Sequence, residues 1–117
     1  MNSKNENADK IQALKDFLVN GNGLIRILEK ETEYYKSMKM KQAEKLVEAK
    51  TSIVSKLEEY KEKLVKDISF LKSLPADIKE KIIQTNTALG EAANANYREA
   101  VKAREVNKIV LESISKA

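Results

Sequence analysis

The 117-residue chain is 34% charged and 42% hydrophobic, has a net charge of +4 at pH 7, and contains only three Gly and one Pro. A β-sandwich or barrel needs a turn every ~8–12 residues, so this composition excludes those folds. The absence of Cys and His excludes disulfides, thiolate or histidine metal sites, and nucleophile pairs that use either residue. We therefore expect an all-α binding protein with no enzymatic activity and no cofactor.

The N-terminal third predicts one helix over residues 9–36, preceded by a disordered tail over residues 1–8. The apolar residues recur in steps of three and four, as in a coiled coil. Gly21-Asn22-Gly23 interrupts this pattern and leaves two alternatives, a turn or a continuous helix in which Gly21 lets a neighbouring backbone come close. The apolar spacing stays in phase across Gly21, which favours the continuous helix despite a cost of about 2 kcal/mol for two interior glycines.

A second helix is predicted over residues 40–72, after a connection that contains neither Gly nor Pro. If the chain turns near Met38–Met40, Lys50 lies close to Glu29 and Glu31 of the first helix. We expect its ammonium to pair with one of these carboxylates and help fix the register. The apolar contacts expected between the two helices join Leu14, Leu18, Ile25 and Leu28 to Ile53, Leu57, Tyr60 and Leu64.

A third helix is predicted over residues 75–113, because Pro75 can begin a helix but not continue one. Its middle carries small or polar residues at the apolar positions, so it contributes little buried apolar area. It either packs very closely because its side chains are small, or it is loosely held and completes its folding on a partner. Together the three helices predict a single domain over residues 9–117, an elongated three-helix antiparallel coiled-coil-like bundle.

Lysine is concentrated in the middle of the chain, where residues 37–73 carry nine basic and six acidic groups. A cationic face could bind nucleic acid or an anionic membrane, and such binding would fall steeply with salt. However, glutamates alternate with these lysines at helical spacing, which is typical of a solvated helix face. We expect neither nucleic-acid binding nor membrane insertion, since no apolar run is long enough to cross a bilayer. The first residues also lack the apolar core of a signal peptide, so a cytoplasmic location is expected.

The order of apolar and polar residues resembles the FlgN-type flagellar export chaperones. The likeness covers roughly residues 10–115, with two departures: Ala93 stands where many of these proteins have Asn, and the glycine pair at Gly21 and Gly23 is atypical. It is carried by Leu24-Ile25-x-Ile27-Leu28-Glu29-x-Glu31-Thr32-x-x-Tyr35, by Met38 to Met40, by Lys50, Ile53, Leu57 and Tyr60, and by Ala93-x-x-Asn96-x-x-x-Ala100 with Val106, Val110-Leu111 and Ile114.

The resemblance implies a small helical chaperone of the cytoplasm that keeps hook-associated proteins unpolymerised and delivers them to the flagellar type III export apparatus. Its partners would be a helical segment of those proteins and components of the export apparatus. It also implies that the last helix carries most of the client contact. Because that helix has small residues at its apolar positions, we expect the client to bind along Leu89–Leu111 and this stretch to be mobile when free. The expected partner-binding residues are Leu89, Ala92, Ala93, Asn96, Tyr97, Ala100, Val101 and Arg104.

A structural coiled-coil adaptor or scaffold subunit, which self-associates and has no secretion client, is the alternative interpretation. The native size distinguishes the two. A monomer with a protease-sensitive last helix favours the chaperone, whereas a protected dimer favours the scaffold.

Overall fold

The computed structural model describes residues 3–116, with side chains over 7–114, and this part of the chain forms four α-helices and no strand. The helices are α1 (Ser3–Lys36), α2 (Met40–Val65), α3 (Ile68–Ser73) and α4 (Ala76–Lys116). The molecule is elongated, with principal extents of 70 × 26 × 18 Å. The all-α class predicted from the sequence is confirmed.

Helix α1 is continuous through Gly21-Asn22-Gly23, and the asparagines on either side of Gly21 stabilise it locally. Asn20 Nδ2 donates to the carbonyl of Asp16 at 2.8 Å, and Asn22 Nδ2 donates to the carbonyl of Leu18 at 2.9 Å. The helix begins at Ser3, whereas the sequence predicts a disordered tail over residues 1–8. Extending an existing helix by a few residues costs little, because the unfavourable step is nucleation. Residues 1 and 2 lie outside the described part of the chain.

The connection between α1 and α2 is a tight C-terminal cap that lacks the usual glycine. Met38 has a left-handed φ of 57°. The Lys39 N–H donates to the carbonyl of Tyr34 at 2.8 Å, and the Met38 N–H donates to that of Tyr35 at 3.1 Å. This is the Schellman pattern, in which Gly normally takes the left-handed position. Because Met takes it here, the turn has no strong sequence signal.

The predicted single helix over residues 40–72 is divided in the structure, since α2 ends at Val65 and α3 begins at Ile68. Asp67 causes the break by capping α3. Its Oδ1 accepts from the Phe70 N–H at 3.0 Å, and its Oδ2 pairs with the ammonium of Lys10 on α1. An Asp before an apolar run is a good N-cap, so the signal was present in the sequence. The pKa of the Asp67 carboxyl is lowered, and the hydrogen bond from Lys10 is the largest cause. The hydrogen bond from the Phe70 N–H is the second largest.

Helix α1 lies at the centre of the fold and packs against both of the other long helices. Among the described residues, α2 and α4 make close backbone contact with α1 but almost none with each other. Gly21 of α1 lies beside Thr85 and Leu89, and Leu28 lies beside Asn96, so α1 and α4 run in the same direction. The observed arrangement is therefore two long helices packed on a central third, and the three-helix antiparallel bundle predicted from the sequence is not confirmed.

The apolar core lies between α1 and α2 and is closed at one end by α3 and the start of α4. Of the contacts expected from the sequence, Leu14, Leu28, Leu57 and Leu64 are buried in this core, and Leu18, Ile53 and Tyr60 pack at its margin. Ile25 is half-buried and lies outside it. Phe17 and Leu24 were not among the expected contacts, and both are buried.

Candidate partner-binding surface on helix α4

A buried polar cluster joins the three long helices near the end of the α1–α2 hairpin where the chain turns from α1 into α2. The Lys50 ammonium of α2 lies 2.8 Å from Oε1 of Glu31 on α1, which confirms the expected pairing with one of the two glutamates. The same oxygen accepts from Asn96 Nδ2 of α4 at 2.9 Å. Glu31 is fully buried (0% exposed), and its other oxygen has no hydrogen-bond partner among the described residues.

Thr32 completes this cluster, because its hydroxyl donates to the carbonyl of Leu28 at 2.7 Å and lies 3.4 Å from Asn96 Nδ2. The cluster fixes the axial position of α4 against α1, since a shift of one turn would leave Glu31 without the amide. Asn96 therefore serves the fold. The sequence identified it as a partner-binding residue because its partner on α1 could not be read from the sequence.

The middle of α4 packs closely against α1. Ala100 and Ala103 are buried. A Cβ placed on Gly21 would lie 2.8 Å from Thr85 Cγ2, so the two helices approach as closely as the missing side chain permits. Of the two alternatives left by the sequence, the structure has the one in which small residues permit close contact.

The eight predicted partner-binding residues divide into two sets of four. Leu89 and Ala92 are half-buried against the core, and Asn96 and Ala100 are buried, so these four lie in the contact with α1. They are covered as long as α4 is packed in this way, so contact of these four residues with a partner stays a prediction that requires α4 to move away from α1. The remaining four are exposed on the adjoining side of α4, a surface we call the outer stripe: Ala93, Tyr97, Val101 and Arg104.

The outer stripe combines a small residue, an aromatic residue, a β-branched residue and a cation at spacings of three and four. Tyr97 is 68% exposed and Val101 is 38% exposed. Residues three or four apart are neighbours on a helix surface, so the four side chains form one continuous strip. Two of the largest side chains of α4 in this region therefore face solvent while its small residues face α1.

Beyond Ala103, every side chain of α4 through Ile114 is exposed, and we call residues 104–114 the terminal segment. It extends past the end of α1, because Asn96 lies level with Leu28 and Thr32 and α1 ends at Lys36. At 1.5 Å per residue it projects by more than 15 Å. Its exposed large apolar residues are Val106, Ile109, Val110, Leu111 and Ile114.

The predicted client stretch, Leu89–Leu111, includes all of this apolar set except Ile114, but none of the five was named as a partner-binding residue. The signal was available in principle. The third predicted helix is longer than the first, so the end of its apolar pattern has no opposing helix in a short-loop arrangement. This signal can be used only when the direction and axial position of α4 relative to α1 are known, and the buried Asn96 contact provides both.

Among the side chains that the structure describes, residues 7–114, no group of three or more acidic residues is placed to hold a metal ion. No helix in this described range is long and apolar enough to cross a membrane.

The fold and surface define an elongated all-α protein with an exposed apolar strip on its longest helix. Compared with protein-family models, curated proteins and solved structures, the chain has no significant match in any of the three.

Proposed function

We propose that the protein is a cytoplasmic export chaperone that binds an amphipathic helical segment of flagellar hook-associated proteins along the outer stripe of α4. The observation that carries the binding proposal is the exposure of Tyr97 and Val101 on a helix whose other face is already packed. Large apolar side chains that face solvent, on a helix whose core contact is made by Ala and Thr, are typical of a surface that binds a partner.

The outer stripe suits a helix better than a flat or extended partner. Ala93 permits close approach of a second helix, and Tyr97 offers a large contact area at low conformational cost. Arg104 can pair with an acidic residue of the client at the rim. An incoming helix would bring the large side chains that the stripe lacks, with anchors at positions i, i+3, i+4 and i+7.

The identity of the client rests on the resemblance of the apolar pattern to the flagellar export chaperones. Lys50 is one of the residues that carry the resemblance, and it pairs with Glu31 as the short hairpin between the first two helices predicts, which supports the hairpin that the proposal assumes. Delivery to the export apparatus and the prevention of premature polymerisation belong to the same proposal, and neither requires catalysis by this chain.

The test uses the purified chain and the hook-associated proteins encoded in the same genome. Tyr97→Ala should weaken client binding at least tenfold in calorimetric titration, because a central aromatic anchor is worth about 2 kcal/mol or more. Ile83→Ala is the matched control, since Ile83 is 64% exposed on the same helix but lies outside the stripe. Equal affinities of the two variants, or no binding by the wild-type chain, would contradict the proposal.

A coiled-coil scaffold without a client remains the second candidate, and the projecting terminal segment is the observation that favours it. The two functions differ in polymerisation assays. A chaperone delays the polymerisation of hook-associated proteins at equimolar ratio, measured by light scattering, and Tyr97→Ala abolishes the delay. A scaffold leaves the rate unchanged.

A further inference from the structure

Helix α4 is held on α1 by different contacts before and after Gly90. Three large apolar side chains before Gly90 pack against the apolar core: Ile78, Ile82 and Leu89. Among the described residues after Gly90, the buried side chains are small or polar: Asn96, Ala100 and Ala103. Burial of such residues removes little apolar area from water. Residues 76–89 are therefore the firmly anchored part of α4, and we call residues 91–116, which follow the glycine, the arm.

Gly90 itself has no role in the packing of α4. It is exposed, and a Cβ built on it would meet nothing within 4 Å, whereas a Cβ built on Gly21 would lie 2.8 Å from Thr85 Cγ2. An alanine would therefore fit at position 90. Glycine has the widest backbone freedom of any residue and weakens the interior of a helix. Because it lies at the boundary between the anchored part and the arm, Gly90 is the place where α4 bends most readily.

Asn96 makes the hydrogen bonds that hold the arm to α1. Its Nδ2 donates to Oε1 of Glu31 at 2.9 Å and lies 3.4 Å from the carbonyl oxygen of Leu28. Among the described residues, no other side chain of the arm bonds to another helix, since Lys102 pairs with Glu99 of the arm itself. Helix α2 makes almost no backbone contact with α4. The position of the arm in the structure, which we call closed, thus depends on α1 alone.

The carboxylate of Glu31 also makes the closed position costly. Glu31 is fully buried, and its Oε2 has no hydrogen-bond partner among the described residues. A buried acceptor without a donor is unfavourable, and more so when it carries charge. Movement of the arm away from α1 would admit water to this oxygen and offset part of the contact that is lost. The same residue therefore accepts the hydrogen bond that closes the arm and lowers the cost of opening it.

We propose that the arm moves away from α1 as one intact helix by bending at Gly90, while residues 76–89 stay in place. The closed position predominates in the free chain, because the Asn96 hydrogen bonds and the alanine contacts are made only there. The role of the motion rests on the proposed function, since opening presents Ala92, Asn96 and Ala100 to the client, whose larger side chains replace the contact with α1. A ligand that binds the open position more tightly shifts the population towards it.

Distances between pairs of spin labels, measured by double electron–electron resonance, test the motion, and the chain has no cysteine of its own to interfere with labelling. The reporter pair joins Glu33→Cys on α1 to Lys102→Cys on the arm. The control pair joins Val19→Cys on α1 to Lys81→Cys on the anchored part. All four positions are exposed, so the labels do not disturb the core.

Asn96→Asp is the variant expected to open the arm, because it places a second carboxylate against Glu31. The reporter distance should lengthen in roughly half of the molecules or more, since like charges repel strongly at a buried site. The control distance should stay unchanged, which together with circular dichroism verifies that the anchored part is folded. A reporter distance that stays as in the wild-type chain, or reporter and control distances that lengthen together, would overturn the proposal.

The place of bending is tested by adding Gly90→Ala to the Asn96→Asp chain. Alanine stiffens the helix at this point, so the open fraction should fall by about threefold or more. Gly23→Ala is the matched control, because a Cβ on Gly23 also meets nothing within 4 Å but lies on α1, and it should leave the open fraction unchanged. If the two glycine variants give the same open fraction, the arm does not bend at Gly90.

Addition of client separates the motion from the proposed function. A hook-associated protein encoded in the same genome should lengthen the reporter distance in the wild-type chain and leave the control distance unchanged. A client that binds in calorimetric titration without lengthening the reporter distance would overturn the role given to the arm. Absence of client binding, together with an open arm in Asn96→Asp, would instead contradict the proposed function and support the motion.

Discussion

The two parts of α4 show how strongly burial depends on what lies opposite a helix. Residues 76–103 have α1 alongside, and they bury small residues such as Ala100 and Ala103. Residues 104–114 have no helix alongside, and there α4 carries Val, Ile and Leu, all of them exposed. The part with the smaller share of large apolar side chains is thus the packed one. Large side chains on a helix face therefore do not by themselves indicate the core of this protein.

The largest effect is expected from breaking the polar cluster that holds the packed part. Lys50→Met leaves the Glu31 carboxylate buried without its cation, so the free energy of unfolding should fall by about 3–5 kcal/mol in urea. The double variant Glu31→Gln with Lys50→Met should recover a substantial part of this loss, because no charge is left uncompensated. If Lys50→Met unfolds at the same urea concentration as the wild-type chain, the cluster does not hold α4 in place.

Next in size is the contrast between the core and the outer stripe. Leu57→Ala should reduce the free energy of unfolding by about 2–4 kcal/mol, because Leu57 is buried between α1 and α2. Val101→Ala should cost about 0.5 kcal/mol or less, since Val101 is partly exposed. Equal losses in urea unfolding would mean that Val101 is buried in solution, and the outer stripe would then not exist as a free surface.

The two interior glycines of α1 give a matched pair of smaller effects. A Cβ on Gly23 meets nothing within 4 Å, so Gly23→Ala should stabilise the protein by about 1 kcal/mol. The same substitution at Gly21 directs its Cβ into Thr85 Cγ2, so it should be less stable than Gly23→Ala by about 1–3 kcal/mol. Thr85→Ser removes that methyl group and should restore much of the difference. Equal thermal stability of the two glycine variants would argue against close contact between α1 and α4.

The smallest effect concerns acid and the end of the molecule where Lys10 pairs with Asp67. The pKa of Asp67 is lowered from its ordinary value of 3.8, so the carboxylate stabilises the folded chain above that pH. This contribution is lost as the pH falls from 3.8 through the lower folded value. Asp67→Asn should therefore flatten the pH dependence of the melting temperature below pH 4. If the melting temperatures of Asp67→Asn and the wild-type protein fall equally below pH 4, the Lys10–Asp67 pair is not the cause of the acid dependence.

The long helices could be predicted from the sequence because their apolar spacing is regular. The Lys50–Glu31 pair could be predicted because a short hairpin sets the register of the first two helices. It missed the break before α3, although Asp67 carried the capping signal, because the apolar spacing runs on past it. It also did not anticipate that Asn96 and Ala100, two of the predicted partner-binding residues, lie in the contact with α1. The reason is physical: a small or polar residue on a helix suits an internal close contact as well as an external one, and only the level of α4 against α1 decides between them.

Hydrogen exchange along α4 tests the central claim, that one continuous helix has a packed part and an uncovered part. In dilute solution, amides of residues 85–100 should be protected like those of residues 14–32 in α1. Amides of residues 106–114 should exchange at least tenfold faster, because no neighbouring helix restricts their opening. Uniform protection from residue 85 to residue 114 in dilute solution would contradict the account.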